Sequence, residues 1–314
     1  MSLIQPNNVF FYLQGSDVIQ PSSEQPFILE RQKSNQLSRL TWGMFYCDPN
    51  IESLNKADQL YIWSGAGGNL FSNPIYTTPI IDFAKNGGKV GVTLGGNPPM
   101  DDSLVNPIDK LYNRPNDFIA LIQNIDTQLE GNLSFIDIDI EDPQLDNWTE
   151  AHWLALNNTL SSIRNHVATE QIKLQLTIPQ ASSYWSAKSG YQSLISSNIL
   201  KITSLDMINI MDMDTQNNTQ QQWVQWVTDT TQVLCVPESK TCITFQSIGL
   251  SDELFYNVID ELTHLSPPYQ HIGLFTAADG QSKFIEITQS TMGPNPSHTN
   301  QTHANETWRP TVRK

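Results

Sequence analysis

Basic residues are scarce in this chain. Its 17 lysines and arginines stand against 32 aspartates and glutamates, a net charge of −15 over 314 residues. Nucleic-acid binding rests on neutralising phosphates with Lys and Arg, so a nucleic-acid partner is not expected. A neutral polymer such as a polysaccharide is not excluded by that argument. Long apolar runs are also missing: nothing approaches the roughly 20 residues needed to span a bilayer, so no membrane partner is expected. The opening stretch "MSLIQPNNVFFYLQ" carries neither a basic segment nor a long apolar one, so no signal peptide is visible in it. Cysteine is rare. Cys47, Cys235 and Cys242 make no disulfide framework, and reduced thiols are expected, although Cys235 and Cys242 flank "VPESKT" and could pair across a loop. No Cys/His set has zinc spacing, so neither a metal nor a cofactor is expected.

Short apolar, β-rich runs alternate with longer helix-like segments. Strands are expected at 8–14, 41–47, 89–96, 134–141, 173–180, 206–214, 241–247 and 271–278. Helices are expected at 77–88, 116–131, 150–167, 191–200, 219–234, 252–265 and, weakly, 281–289. Alternating strands and helices imply a parallel sheet, and eight such units in this length fit an α/β fold of the (β/α)8 TIM-barrel type in a single domain over 1–292. An open doubly wound sheet is the competitor, weakened because no G-x-G-x-x-G and no P-loop lysine follows the first strand. The polar region 15–38 reads as a long first βα loop, and 293–314 as a disordered tail.

Within that pattern "LSFIDIDIED" (133–142) stands out. Ile136, Ile138 and Ile140 alternate with Asp137, Asp139 and Glu141. Period-two alternation makes a strand with three carboxylates on one face, successive ones roughly 6.5 Å apart. On a half-buried surface strand such acids would simply face water. A parallel barrel strand has no watery face: the isoleucines suit the helix layer, and the acids then point into the barrel. Buried like charges raise one another's pKa values, so the set should hold at least one proton at neutral pH. Glu141 lies at the strand's C-terminal end, the face where barrel enzymes place their chemistry.

The residues Asp137-x-Asp139-x-Glu141 resemble the D-x-x-D-x-D-x-E signature of glycoside hydrolase family 18, the chitinases and endo-β-N-acetylglucosaminidases. "KVGVTLGGN", with Gly95 and Gly96, looks like that family's S-x-G-G strand end, and "INIMDMDT", with Met213 and Asp214, looks like its M-x-Y-D motif. The chain departs from the pattern at several places. Ser134 and Phe135 stand where Asp and Gly are usual, Met213 replaces the sixth-strand tyrosine, and "GLFTAADG" has no eighth-strand tryptophan.

The resemblance implies a substrate-assisted retaining glycosidase acting on β-1,4-linked N-acetylglucosamine, as in chitin or related glycans. In that scheme Glu141 is the general acid and Asp139 orients the substrate's acetamide, whose oxygen is the nucleophile, while Asp137 buffers Asp139 through a shared proton. Asp214 and Met213 would border the reacting sugar, with Tyr12 or Gln180 as replacement donors. Gly95, Gly96, Phe45 and Trp185 would complete the binding surface, the last two as stacking platforms beside Tyr46, Trp63 and Tyr184. Trp148, Trp153, Trp223 and Trp226 fall on helices and read as packing residues. A monomer acting outside the cell is expected. The lost tyrosine and tryptophan leave open a non-catalytic, lectin-like protein on the same barrel.

Overall fold

The computed structural model describes residues 9–13, 39–62, 70–98, 103–197, 204–212, 219–246, 252–269 and 271–276. Among them the strands are β1 (Val9–Leu13), β2 (Arg39–Cys47), β3 (Leu60–Tyr61), β4 (Lys89–Gly95), β5 (Leu133–Asp139), β6 (Lys173–Pro179), β7 (Met207–Asp212), β8 (Thr241–Gln246) and β9 (His271–Thr276). Eight of these pair in the parallel order β1-β9-β8-β7-β6-β5-β4-β2, and β1 pairs with β2 to close the ring. The chain is therefore a (β/α)8 barrel. The two-residue β3, which is not among the expected strands, lies outside the ring and pairs antiparallel with the end of β2. The expected helix at 281–289, the first loop at 15–38 and the tail at 293–314 lie outside the described residues.

The longer helices span Pro74–Lys85, Pro115–Gln128, Glu150–Arg164, Ser189–Ser197, Gln220–Leu234 and Asp252–His264. The first begins three residues earlier than its apolar pattern suggests. Asn73 caps it by accepting the Ile75 N–H at 3.1 Å, and Pro74 follows at the position where a missing N–H costs nothing. Gln220–Leu234 shows why such segments are helical and where they dock. Thr219 caps it reciprocally with Gln222, and the buried positions Trp223, Val224, Val227, Thr230, Thr231 and Leu234 form one stripe. Trp153 and Trp223 are buried in the packing, as their helical positions imply, and Trp148 is buried too, although it lies in extended backbone just past a short helix (Gln144–Asn147).

The barrel wall inverts the usual alternation of a half-exposed sheet. Ile136, Ile138 and Ile140 on and after β5, and Leu174, Leu176 and Ile178 on β6, are all fully buried and belong to the apolar cluster that joins sheet to helices. Each such side chain contributes on the order of 1.5–3 kcal/mol through burial. The intervening residues are polar and equally buried: Thr93, Asp137, Gln175, Thr177, Asn209 and Thr244. This barrel is filled by a hydrogen-bonded layer where branched aliphatic residues are the usual filling. All three cysteines are free, Cys47 and Cys242 buried and Cys235 exposed.

Candidate active site

Asp137 lies in mid-barrel and is fully buried. Thr93 Oγ1 on β4 donates to its Oδ2 at 3.0 Å, and Gln175 Nε2 (2.9 Å) and Thr177 Oγ1 (2.6 Å) on β6 donate to its Oδ1. The chain of bonds runs on around the wall. Asn209 Nδ2 donates to Thr177 Oγ1 at 3.1 Å, and Thr244 Oγ1 donates to Asn209 Oδ1 at 2.6 Å. At the other end Arg39 Nη2 donates to Gln175 Oε1 at 3.2 Å, and its guanidinium lies 4.4 Å from the Phe135 ring centroid. A carboxylate in this position needs such donors, because an isolated buried charge is prohibitively costly.

One pleat nearer the C-terminal mouth, Asp139 is 2% exposed. Its Oδ1 has no hydrogen-bond partner among the described residues. Burial is the first reason its pKa lies well above the ordinary carboxylate range, followed by the neighbouring charges of Glu141 and Asp137. Glu141 follows just past the end of β5, half-buried. Its pKa is pushed up to about 7, chiefly by burial and further by Asp142, against the lowering effect of the Asn97 N–H. That N–H donates to Glu141 Oε1 at 3.1 Å.

The Asn97 amide reaches Glu141 because β4 ends in two glycines. Gly95 and Gly96 have φ of +112° and +96°, a region that side-chain-bearing residues rarely enter. A Cβ at Gly95 would lie 2.2 Å from the Asp139 carbonyl oxygen, and one at Gly96 would lie 2.2 Å from Met44 Cε. The turn lets Gly96 N–H donate to the Asp139 carbonyl at 3.1 Å. These glycines, expected at the binding surface, are buried and shape the backbone behind the carboxylates.

Phe45 is a clear correction. Expected as a sugar platform, it is fully buried between Trp42 (ring centroids 5.0 Å apart) and Phe71 (4.9 Å). A bulge after Trp42 is responsible: Trp42 pairs with Val92 and Phe45 with Leu94, so both face the helix layer with two residues between them. The bulge gives Tyr46 the other direction. Its hydroxyl donates to the Asn97 carbonyl at 3.0 Å, and burial, then the charges of Asp139 and Glu141, push its pKa up.

The remaining candidates are placed unevenly. Gln180 is buried just past β6, its N–H bonded to the Met211 carbonyl at 3.0 Å. Trp185 lies in a short helix (Ser183–Ser186) and is partly buried against the core, edge-on to the exposed Tyr184 at 5.0 Å. Lys188 sits between these rings and the acids after β5, with Nζ 4.6 Å from the Tyr184 centroid and 2.9 Å from Asp142. Tyr12 is on β1, level with Thr41 and Phe275, but only its backbone is described. Met213, Asp214 and Trp63 lie outside the described residues. Among the described residues no group of His, Cys, Asp and Glu is arranged to hold a metal ion.

Several participants were not singled out from sequence: Gln175, Thr177, Asn209 and Thr244 around Asp137, and Asn106, whose side chain reaches the Asp139 carbonyl at 2.9 Å. The strand residues do carry a signal. "KLQLTIP" alternates polar and apolar residues as the acidic run does, with Gln175 and Thr177 in place of acids. Asn106, in a loop, has no periodicity to reveal it.

The sequence matches no protein-family model and no curated protein. Solved structures do match. A GH18 chitinase from Pseudoalteromonas aurantia superposes with a TM-score of 0.63 at 13% identity, over 90% of this chain and 99% of that one. The Legionella pneumophila ChiA C-terminal domain gives 0.59 at 12%, over 94% and 100%. The GH18 chitinase ChiB from the chitin utilization locus of Flavobacterium johnsoniae gives 0.55 at 13%, over 91% and 93%. At these identities what the chain shares with them is the barrel fold.

Proposed function

We propose that this protein is a glycosidase that cleaves β-1,4-linked N-acetylglucosamine polymers or oligomers with the help of the substrate's own acetamido group. The observation that carries the reading is the pairing at the mouth of β5. A half-buried carboxyl that titrates near neutrality, Glu141, stands beside a buried carboxyl, Asp139, with an oxygen left unpartnered among the described residues. The fold shared with chitinases supports it.

In this mechanism Glu141 gives its proton to the glycosidic oxygen as the bond to the anomeric carbon breaks. The acetamido carbonyl oxygen attacks that carbon and closes an oxazolinium ring, so no enzyme carboxylate need act as nucleophile. Asp139 Oδ1 accepts the acetamido N–H and offsets the positive charge that develops. Asp137, held by its donors beneath, buffers the charge on Asp139. Glu141, now ionised, takes a proton from water as the water opens the ring. Tyr184 and Trp185, beside the loop that follows Glu141, offer aromatic surface to further sugar units.

The test is hydrolysis of fluorogenic di- and tri-N-acetylchitooligosaccharides beside the matching cello-oligosaccharides. Cleavage of the first set alone is expected. Comparable cleavage of both points to an ordinary two-carboxylate glycosidase. Binding without cleavage establishes the lectin-like alternative.

A further inference from the structure

Glu141 receives its hydrogen bond from a backbone amide, and a backbone amide is only as well aimed as the chain that carries it. Asn97 is exposed and follows two glycines, the least restrained residues available. The Tyr46 hydroxyl on the Asn97 carbonyl and the Gly96 N–H on the Asp139 carbonyl restrain this turn in part, and a side chain from a different loop joins them. Asn106 is fully buried. Its Nδ2 donates to the Asp139 carbonyl at 2.9 Å and to the Gly96 carbonyl at 3.4 Å, and its Oδ1 accepts the Ile108 N–H at 3.0 Å. The loop itself is stitched to the end of β2, with Cys47 N–H to Val105 carbonyl at 3.0 Å and the reverse bond at 2.9 Å. One NH2 group thus ties the end of β4 to the end of β5, one residue before Asn97 and two before Glu141.

We propose that Asn106 is a positioning residue for Glu141: its amide clamps the Gly96 and Asp139 carbonyls together and so aims the Asn97 N–H at the Glu141 carboxyl. An amide nitrogen has two hydrogens and can serve both carbonyls at once; a hydroxyl or a carboxylate cannot. The kinetic part of the argument rests on Glu141 being the general acid. The geometric part does not. The other charged or titratable groups acting on Glu141 among the described residues are Asp139 on β5, Asp142 with its partner Lys188, and Tyr46 on β2.

The informative variant is Asn106→Ser. Serine can still accept the Ile108 N–H, is uncharged, and is too short to bridge the two carbonyls. The Glu141 carboxyl is followed by 13C NMR through a pH titration of the full chain. Losing a donor disfavours the ionised form, so the midpoint is expected to rise by about half a pKa unit or more. On an active substrate kcat is expected to fall roughly tenfold with KM little changed, because alignment of the acid is lost and sugar contacts are not. The wild type supplies a second measurement: the Asn106 side-chain amide and the Asn97 backbone amide should shift with the Glu141 midpoint in 15N spectra. A folded Asn106→Ser protein with an unmoved midpoint overturns the proposal. So does a wild-type Asn106 amide indifferent to that titration, which decides the matter if the variant does not fold. If the wild type cleaves no substrate, the functional reading fails while the NMR midpoints still judge the clamp.

Discussion

Thr177→Val changes almost no volume and removes one hydroxyl from the centre of the barrel. That hydroxyl donates to Asp137 Oδ1 at 2.6 Å and accepts from Asn209 Nδ2 at 3.1 Å, with all three residues buried. A hydrogen bond to a charged group is worth about 1.5–3 kcal/mol, and an orphaned buried amide hydrogen costs about 1–3 kcal/mol more. The added methyl recovers little, since its surroundings are polar. A net loss of roughly 2–4 kcal/mol is therefore expected. Thr244→Val is the graded control. It removes a neutral bond, Thr244 Oγ1 to Asn209 Oδ1 at 2.6 Å, one step further from the carboxylate. Its bond is worth about 0.5–1.5 kcal/mol. Urea unfolding of both variants at equal m-value reads the difference directly. Equal losses, or a loss of a few tenths for Thr177→Val, would refute the idea that this network exists to hold the Asp137 charge.

Two further outcomes follow from the raised carboxyl groups. Glu141 is lifted from 4.5 to about 7, so between those values the folded protein binds more protons than the unfolded chain, and stability falls as pH rises through that window. Asp139 acts in the same direction. Urea midpoints should therefore be lower at about pH 7.5 than at about pH 5, and the gap should narrow in Glu141→Gln; an unchanged gap contradicts the assignment. Asp142 raises the pKa of Glu141 and is itself paired with Lys188. Asp142→Asn should move the basic limb of the kcat/KM profile to lower pH, and a limb that stays or rises argues that Glu141 does not govern it.

What the sequence makes legible of this fold and site depends on periodicity. The eight barrel strands fall where short apolar runs predict them, because a strand buried on both faces leaves few other ways to write it. The acids of β5 point inward because the same logic denies them water. The bulge in β2 is not legible: nothing in "TWGMFYC" marks one extra residue in the strand, and that one-residue slip exchanges the places of Phe45 and Tyr46. The polar ring of Gln175, Thr177, Asn209 and Thr244 was written in the alternation but carried no charge to draw attention. Asn106 could not be found at all, since its role depends on where two strand ends meet in space.

Glu141 as the proton donor is put to the test by Glu141→Gln. The amide keeps the carboxyl's shape and can still accept the Asn97 N–H, but it cannot give up and regain a proton. Turnover of a fluorogenic N-acetylchitooligosaccharide should drop by about 10²–10⁴-fold while calorimetric affinity for the same oligomer is preserved. A variant that cleaves at the wild-type rate would contradict the account.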